Sequence, residues 1–81
     1  MIELHCKNGH VVFCQSKDIE DIVIGTNNEF AYVFLADERI PLHVVYGRGM
    51  NDDGEVVMLD LQHGEFVKYD QKPIFHPWHI L

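Results

Sequence analysis

The sequence predicts a small all-β protein, and three observations support this fold class. Apolar and aromatic residues alternate along several short segments, as in strands with one buried face. Asn, Asp and Gly residues separate these segments and favour tight turns. No window has the i, i+3, i+4, i+7 apolar spacing of a helix. We expect about six to eight short strands, forming a small antiparallel curled sheet or an SH3-like, partly open barrel.

The clearest hairpin lies in residues 30–46, where two alternating apolar runs flank a polar break at Asp37 and Glu38. β-Branched and aromatic residues dominate both runs, which is typical of paired strands. Pro41 has no backbone N–H to donate to a neighbouring strand. We therefore expect the second run to be an edge strand or to carry a bulge at this position.

The dipeptide Asn8-Gly9 predicts a second hairpin near the N-terminus. A two-residue type I′ loop suits Asn-Gly, because both central residues need positive φ, and this loop pairs Cys6 with Val11. The two cysteines then lie on opposite faces, which argues against a disulfide or a shared metal. The expected apolar face consists of Ile2, Leu4, Cys6, Val11 and Phe13, and the other face of Glu3, His5, Lys7, His10, Val12 and Cys14.

The remaining segments are assigned by the same patterns. Residues 16–21 fit one short helical turn capped by Ser16. Residues 47–54 are rich in Gly, Asn and Asp and are expected to form a mobile loop. Residues 55–69 fit a third hairpin, and residues 74–81 fit a last strand interrupted by a proline.

The chain of 81 residues has room for one domain, spanning residues 1–81. No apolar run approaches the roughly 18–20 residues that a bilayer-spanning helix needs, so we expect no membrane partner. The N-terminal residues do not form a secretory signal, and two cysteines are too few for a disulfide scaffold. We therefore expect a cytoplasmic protein, in its own cell or in a host.

The charge balance indicates the kind of partner. Thirteen acidic residues against six basic ones give a formal net charge of −7. Such a surface repels phosphate backbones, so direct nucleic-acid binding is not expected, whereas a protein with a basic surface is a suitable partner. The predicted partner-binding residues are Asp18, Glu20, Asp21, Asp37, Glu38, Asp52, Asp53 and Glu55, with Trp78 as an apolar anchor.

Enzymatic activity is not expected. Ser16 is the only serine, and no GxSxG, CxxC or HExxH motif is present. We therefore predict no catalytic residues, no cofactor and no metal site. The alternative is a metal-binding accessory protein, in which His5, His10 and Cys14 share one strand face and supply zinc-type ligands.

The first half of the chain resembles the strand–Asn-Gly–strand layout of FlbD-type flagellar regulators. The similar segments are MIELHCKNG, DIEDIV and FAYVFLADERIPLH, which together cover about half of the sequence. We carry no residue role over from this resemblance.

These observations lead to one functional hypothesis and two alternatives. The chain is predicted to be a non-enzymatic protein-binding module, such as a phage- or mobile-element-encoded inhibitor of a nucleic-acid-binding protein. The first alternative is the metal-binding accessory protein. The second is a homodimeric structural or regulatory protein that pairs an edge strand near Pro41 or its C-terminal strand.

Overall fold

Seven short strands form one antiparallel sheet in the computed structural model, which describes residues 1–69. Two 3-10 helices, Ser16–Asp18 and Thr26–Asn28, connect the second strand to the third and the third strand to the fourth. The all-β class, the number of strands and a short helical turn near residues 16–21 are thus confirmed. The expected cap at Ser16 is wrong, because Gln15 is the N-cap and the helix ends at Asp18, where the next strand follows. The strands are β1 Ile2–Cys6, β2 Val11–Cys14, β3 Ile19–Ile24, β4 Ala31–Leu35, β5 Leu42–Met50, β6 Val56–Asp60 and β7 Glu65–Lys68.

Strand β5 is central to the sheet, because it pairs with three other strands. The strand order is β2-β1-β5-β4-β3, with β6 paired to β5 and β7 paired to β6. One edge of β5 pairs with β1, whereas β4 pairs with its first residues and β6 with its last three. Because β5 has nine residues, it is long enough to hold all three neighbours. The sheet curls around its apolar side without closing into a barrel.

The core is a single apolar cluster on the inner face of this curled sheet. Several partly buried apolar side chains from β2, β3, β5, β6 and β7 pack against it. Burial of each large side chain stabilises the fold by about 1.5–3 kcal/mol before the entropy of folding is subtracted. The buried residues are Ile2, Leu4, Cys6, Cys14, Ala31, Val33, Leu35, Val44 and Val57.

The register expected for the first hairpin is wrong by one residue. The observed pairing joins His5 to Val11 rather than Cys6 to Val11. The loop has three residues instead of two, because the Gly9 N–H donates to the Cys6 carbonyl and the Cys6 N–H donates to the His10 carbonyl. Only Gly9, with φ of 92°, takes the left-handed conformation, as in a type I turn followed by a bulge.

This shift turns β2 over, because a slip of one residue exchanges the two faces of a strand. Val12 and Cys14 point into the core, whereas Val11 and Phe13 point outward. The Phe13 side chain is 61% exposed. The expectation that the two cysteines lie on opposite faces is therefore wrong: Cys6 and Cys14 are both buried, and both are free thiols.

The predicted loop at residues 47–54 is also wrong in its first half, since β5 continues to Met50. Its glycines allow close packing, which is a common reason for glycine inside a strand. A Cβ at Gly47 would lie 3.1 Å from the Phe66 ring, and a Cβ at Gly49 would overlap the Met1 carbonyl oxygen. Residues 51–54 do form a turn.

The central hairpin is confirmed as β4 and β5, with Tyr32 opposite His43. Pro41 lies just before β5, which is a central strand, so the expected edge strand near Pro41 is wrong. The third hairpin is confirmed as β6 and β7. The predicted strand at 74–81, including Trp78, lies outside the described residues.

Candidate functional site

Two of the three predicted acidic clusters lie together at one end of the sheet. Strand β3 begins where β4 ends, with Ile19 paired to Leu35. The Ala36 N–H donates to the Asp18 carbonyl over 2.8 Å, which fixes the start of β3 against the β4–β5 connection. The carboxylates brought to this end are Asp18, Glu20, Asp21, Asp37 and Glu38.

An open groove of about 370 Å³ lies at this acidic end. Its floor is apolar, and two carboxylates, Asp18 and Glu38, are the charged groups that line it. The corrected register of β2 is needed for this groove, because it directs Val12 and Cys14 inward toward Leu42. The lining residues are Val12, Phe13, Cys14, Asp18, Leu35, Ala36, Glu38 and Leu42.

The charge of this end is negative but not uniform. Lys17 and Arg39 lie in the same two segments as the five carboxylates, which leaves a local net charge of −3. The Asp18 carboxylate accepts a hydrogen bond from the Gln15 N–H over 3.0 Å, which fixes its position beside the groove. Glu38 is exposed, so its carboxylate is available to a partner.

The third acidic cluster lies at the other end of β5. Asp52, Asp53 and Glu55 follow the last residue of this strand, whereas Asp37 and Glu38 precede its first residue. At about 3.3 Å per residue, nine residues separate the two groups by about 26 Å. The acidic residues therefore do not form one continuous rim.

Glu55 is also partly neutralised within the chain. Its carboxylate lies 2.9 Å from the Lys68 Nζ and accepts a hydrogen bond from the Asn51 side-chain amide over 3.1 Å. The hydrogen bond from Lys68 lowers the pKa of Glu55, and that from Asn51 adds to the effect. Glu55 is thus less available to a partner than Asp52 or Asp53, which are both exposed.

The shared face assumed for His5, His10 and Cys14 is wrong. Cys14 is buried in the core, whereas the His5 Nε2 lies 2.8 Å from the Glu3 Oε1 on the opposite face of the sheet. His10 is exposed beside the β1–β2 turn. Within residues 1–69, no three His, Cys, Asp or Glu side chains converge on a point where they could hold a metal ion.

A larger open hollow, about 550 Å³ in volume, differs from the acidic groove because no carboxylate among the described residues lines it. It lies between the β1–β2 turn and the start of β5. Burial raises the pKa of the Cys6 thiol beside it, so this thiol has little thiolate at neutral pH and is not activated as a nucleophile. The lining residues are Cys6, Lys7, Asn8, Pro41, Leu42 and His43.

Sequence analysis missed a second surface, which we call the outer face. It consists of the outward side chains of strands β7, β6, β5, β1 and β2, taken in spatial order. The signal was the second set of apolar residues in runs such as EVVMLDL and HVVFC, where both alternating sets are apolar. Its exposed apolar members are Met1, Val11, Phe13, Tyr46, Met50, Val56, Val67 and Tyr69.

The fold and the groove define a small antiparallel β protein with an acid-lined apolar groove. Comparison of the chain with protein-family models, with curated proteins and with solved structures found no match. Among residues 1–69, no helix is both long enough and apolar enough to cross a bilayer.

Proposed function

We propose that this chain is a non-enzymatic protein-binding module whose groove receives a basic segment of a partner protein. The observation that carries the proposal is the pairing of an apolar floor with two carboxylates, Asp18 and Glu38, in one groove. An arginine or lysine side chain has an apolar stem and a cationic head, so it fits such a groove with its stem on the floor.

The distribution of charge supports the same kind of partner. The net charge of −7 attracts basic surfaces at long range and speeds their association. Carboxylates held near a groove can take the place of phosphates on a nucleic-acid-binding protein. An inhibitor that occupies the nucleic-acid site of its partner is therefore the form of this function that we propose.

We also propose that the partner is cytoplasmic. Cys6 and Cys14 are both free thiols, as is usual in a reducing compartment. Burial raises the pKa of the Cys14 thiol, with a smaller contribution from the nearby Asp18 carboxylate, and this keeps the thiol protonated.

Charge reversal at the groove is expected to weaken binding of a basic probe. The probe is a fluorescent peptide in which arginine alternates with leucine, followed by anisotropy. The variant Glu38→Lys, which reverses an exposed carboxylate that lines the groove, should raise Kd about tenfold, or about 1.4 kcal/mol, at low salt. Raising NaCl from about 0.1 M to about 1 M should weaken wild-type binding, because the Debye length falls from about 10 Å to about 3 Å.

The variant Asp52→Lys is the matched control, because it changes the net charge by the same amount at the other end of β5. Its Kd should rise by no more than about threefold, which reflects long-range attraction alone. Equal weakening by the two variants would show that the peptide responds to net charge and does not enter the groove. Binding that is insensitive to salt would contradict the proposal as well.

A further inference from the structure

The outer face extends across five strands and is largely apolar, with Glu3, Arg48, Asp60 and Glu65 as charged residues. The register of the sheet aligns one straight row of outward side chains, from Val67 through Met58, Arg48 and Glu3 to Phe13. Exposed apolar residues border this row on both sides, with Tyr46 and Val11 on one and Met50 and Val56 on the other. A solvated sheet face normally carries polar residues, so this surface is suited to contact with another protein.

The charges at the centre of the outer face are self-complementary. Glu3 on β1 and Arg48 on β5 are directly paired residues, and the Arg48 Nε lies 3.6 Å from the Glu3 Oε1. The hydrogen bond from His5 lowers the pKa of Glu3, and Arg48 contributes in the same direction. The centre of the face therefore holds one anion and one cation side by side, whereas the whole chain has a net charge of −7.

We propose that a second copy of this chain covers the outer face, so that two copies stack face to face as a sandwich. A two-fold axis that runs parallel to the strands, between β1 and β5, places Glu3 of each copy opposite Arg48 of the other. This contact is isologous, because each copy offers the same patch. A basic partner does not fit equally well, because the face has no excess of negative charge at its centre.

The size of the face sets the strength of this dimer. The two-fold axis superposes β6, β5, β1 and β2 of the two copies and leaves β7 outside the overlap. Four strands at about 4.8 Å spacing, and three rows of side chains, cover about 19 Å by 20 Å. This is about 400 Å² for each copy and about 800 Å² in total, which is the size of a weak, transient interface. A weak dimer with a Kd of about 100 μM is expected for an interface of this size. Phe13 belongs both to this interface and to the lining of the acidic groove, so the two surfaces meet at β2.

Sedimentation equilibrium of the wild-type chain tests the dimer. The chain should be a monomer at low micromolar concentration and a dimer at several hundred micromolar. Raising NaCl from about 0.1 M to about 1 M should tighten the dimer by at least about threefold, because salt screens repulsion between two acidic chains. This response is opposite to that of the groove and the basic peptide, so the two proposals fail separately.

Single substitutions locate the interface. Met58→Lys, in the central row of the outer face and opposite Phe13 of the second copy, should raise the dimer Kd at least about tenfold by burying an unpaired charge. Val23→Lys is the matched control, because Val23 is exposed on β3, outside the five strands. It should leave the dimer Kd unchanged.

Charge exchange tests the two-fold arrangement itself. Glu3→Arg alone places arginines opposite arginines, and Arg48→Glu alone places glutamates opposite glutamates, so each variant should be monomeric. An equimolar mixture should form a heterodimer, because each arginine then faces a glutamate. Circular dichroism of each variant first establishes that it is folded.

Three results would overturn the inference. One is a wild-type chain that stays monomeric at several hundred micromolar. Another is a dimer that Met58→Lys and Val23→Lys affect equally. The last is a folded pair of charge variants that do not associate when mixed, which would exclude the proposed two-fold contact.

Discussion

Leu4→Ala is expected to lower the free energy of unfolding by about 3 kcal/mol. Leu4 is fully buried on β1, and it packs in the single core cluster that all later strands share. Truncation removes apolar contacts and leaves a cavity that a pleated strand cannot collapse to fill. Because small domains are stable by only about 5–15 kcal/mol, this is a large share of the total. Urea denaturation followed by circular dichroism measures it.

Phe13→Ala is the control for this prediction. Phe13 is the larger side chain, but it is 61% exposed, so its loss should change the unfolding free energy by no more than about 0.5 kcal/mol. The measurement is made at low micromolar concentration, where dimer formation does not contribute. A cost for Phe13→Ala equal to that for Leu4→Ala would contradict the assignment of inner and outer faces.

Gly49→Ala is expected to be at least as destabilising, by about 3 kcal/mol or more. A Cβ at this position would overlap the Met1 carbonyl oxygen and lie 2.7 Å from the Ile2 Cα. These are backbone atoms of the paired strand β1, so they cannot move aside without separating β1 from β5. The same denaturation experiment measures the loss.

Gly54→Ala provides the comparison for Gly49→Ala. A Cβ at Gly54 would meet no atom within 4 Å, but φ is 79°, so only the backbone conformation opposes alanine. This conformational cost is about 1–2 kcal/mol. A Gly49→Ala variant that is no less stable than Gly54→Ala would show that β1 and β5 do not approach as closely as described.

The fold class could be predicted because each strand is encoded locally. The alternation in residues 30–46 specifies β4 and the start of β5, and the inward set there is Ala31, Val33 and Leu35. The pattern is therefore sufficient to predict the hairpin. It does not determine the buried face of β4, because the other alternating set, Phe30, Tyr32 and Phe34, is also apolar.

The register of β2 could not be predicted from the pattern, because Val11, Val12, Phe13 and Cys14 are all apolar. Either pair of alternating residues can enter the core, so the number of residues in the β1–β2 loop determines which pair is buried. Asn8-Gly9 suits a two-residue loop, but it also suits a three-residue loop in which only the glycine is left-handed. The two loops differ by one residue and expose opposite faces.

The extent of β5 depends on neighbours that are distant in sequence. Gly47, Arg48 and Gly49 have low strand propensity and resemble a loop on their own. Their strand conformation is favoured by Ile2 on one side and Val57 on the other, which both pair with Gly49. Contacts of this kind are not visible in a local window.

The acidic clusters were predicted individually, but their arrangement was not. Each cluster follows from a turn, where polar residues are solvated. Two acidic clusters lie close together only if the strand ends that carry them are adjacent. The pairing of Ile19 with Leu35 brings the segments that carry Asp18 and Glu38 to the same end of the sheet. The groove between them depends in turn on the face that β2 presents.

The face that β2 presents is the central claim, because both the groove and the outer face depend on it. Thiol labelling under native conditions tests it directly, by comparing Cys6→Ala, in which Cys14 is the only cysteine, with Cys6→Ala/Cys14→Ala/Phe13→Cys. Cys14 is 8% exposed and Phe13 is 61% exposed. We predict that Cys14 reacts at least about 100-fold more slowly than the cysteine at position 13, because the reagent reaches Cys14 only when the sheet opens by local unfolding. Rapid labelling of Cys14 together with protection at position 13 would contradict the account.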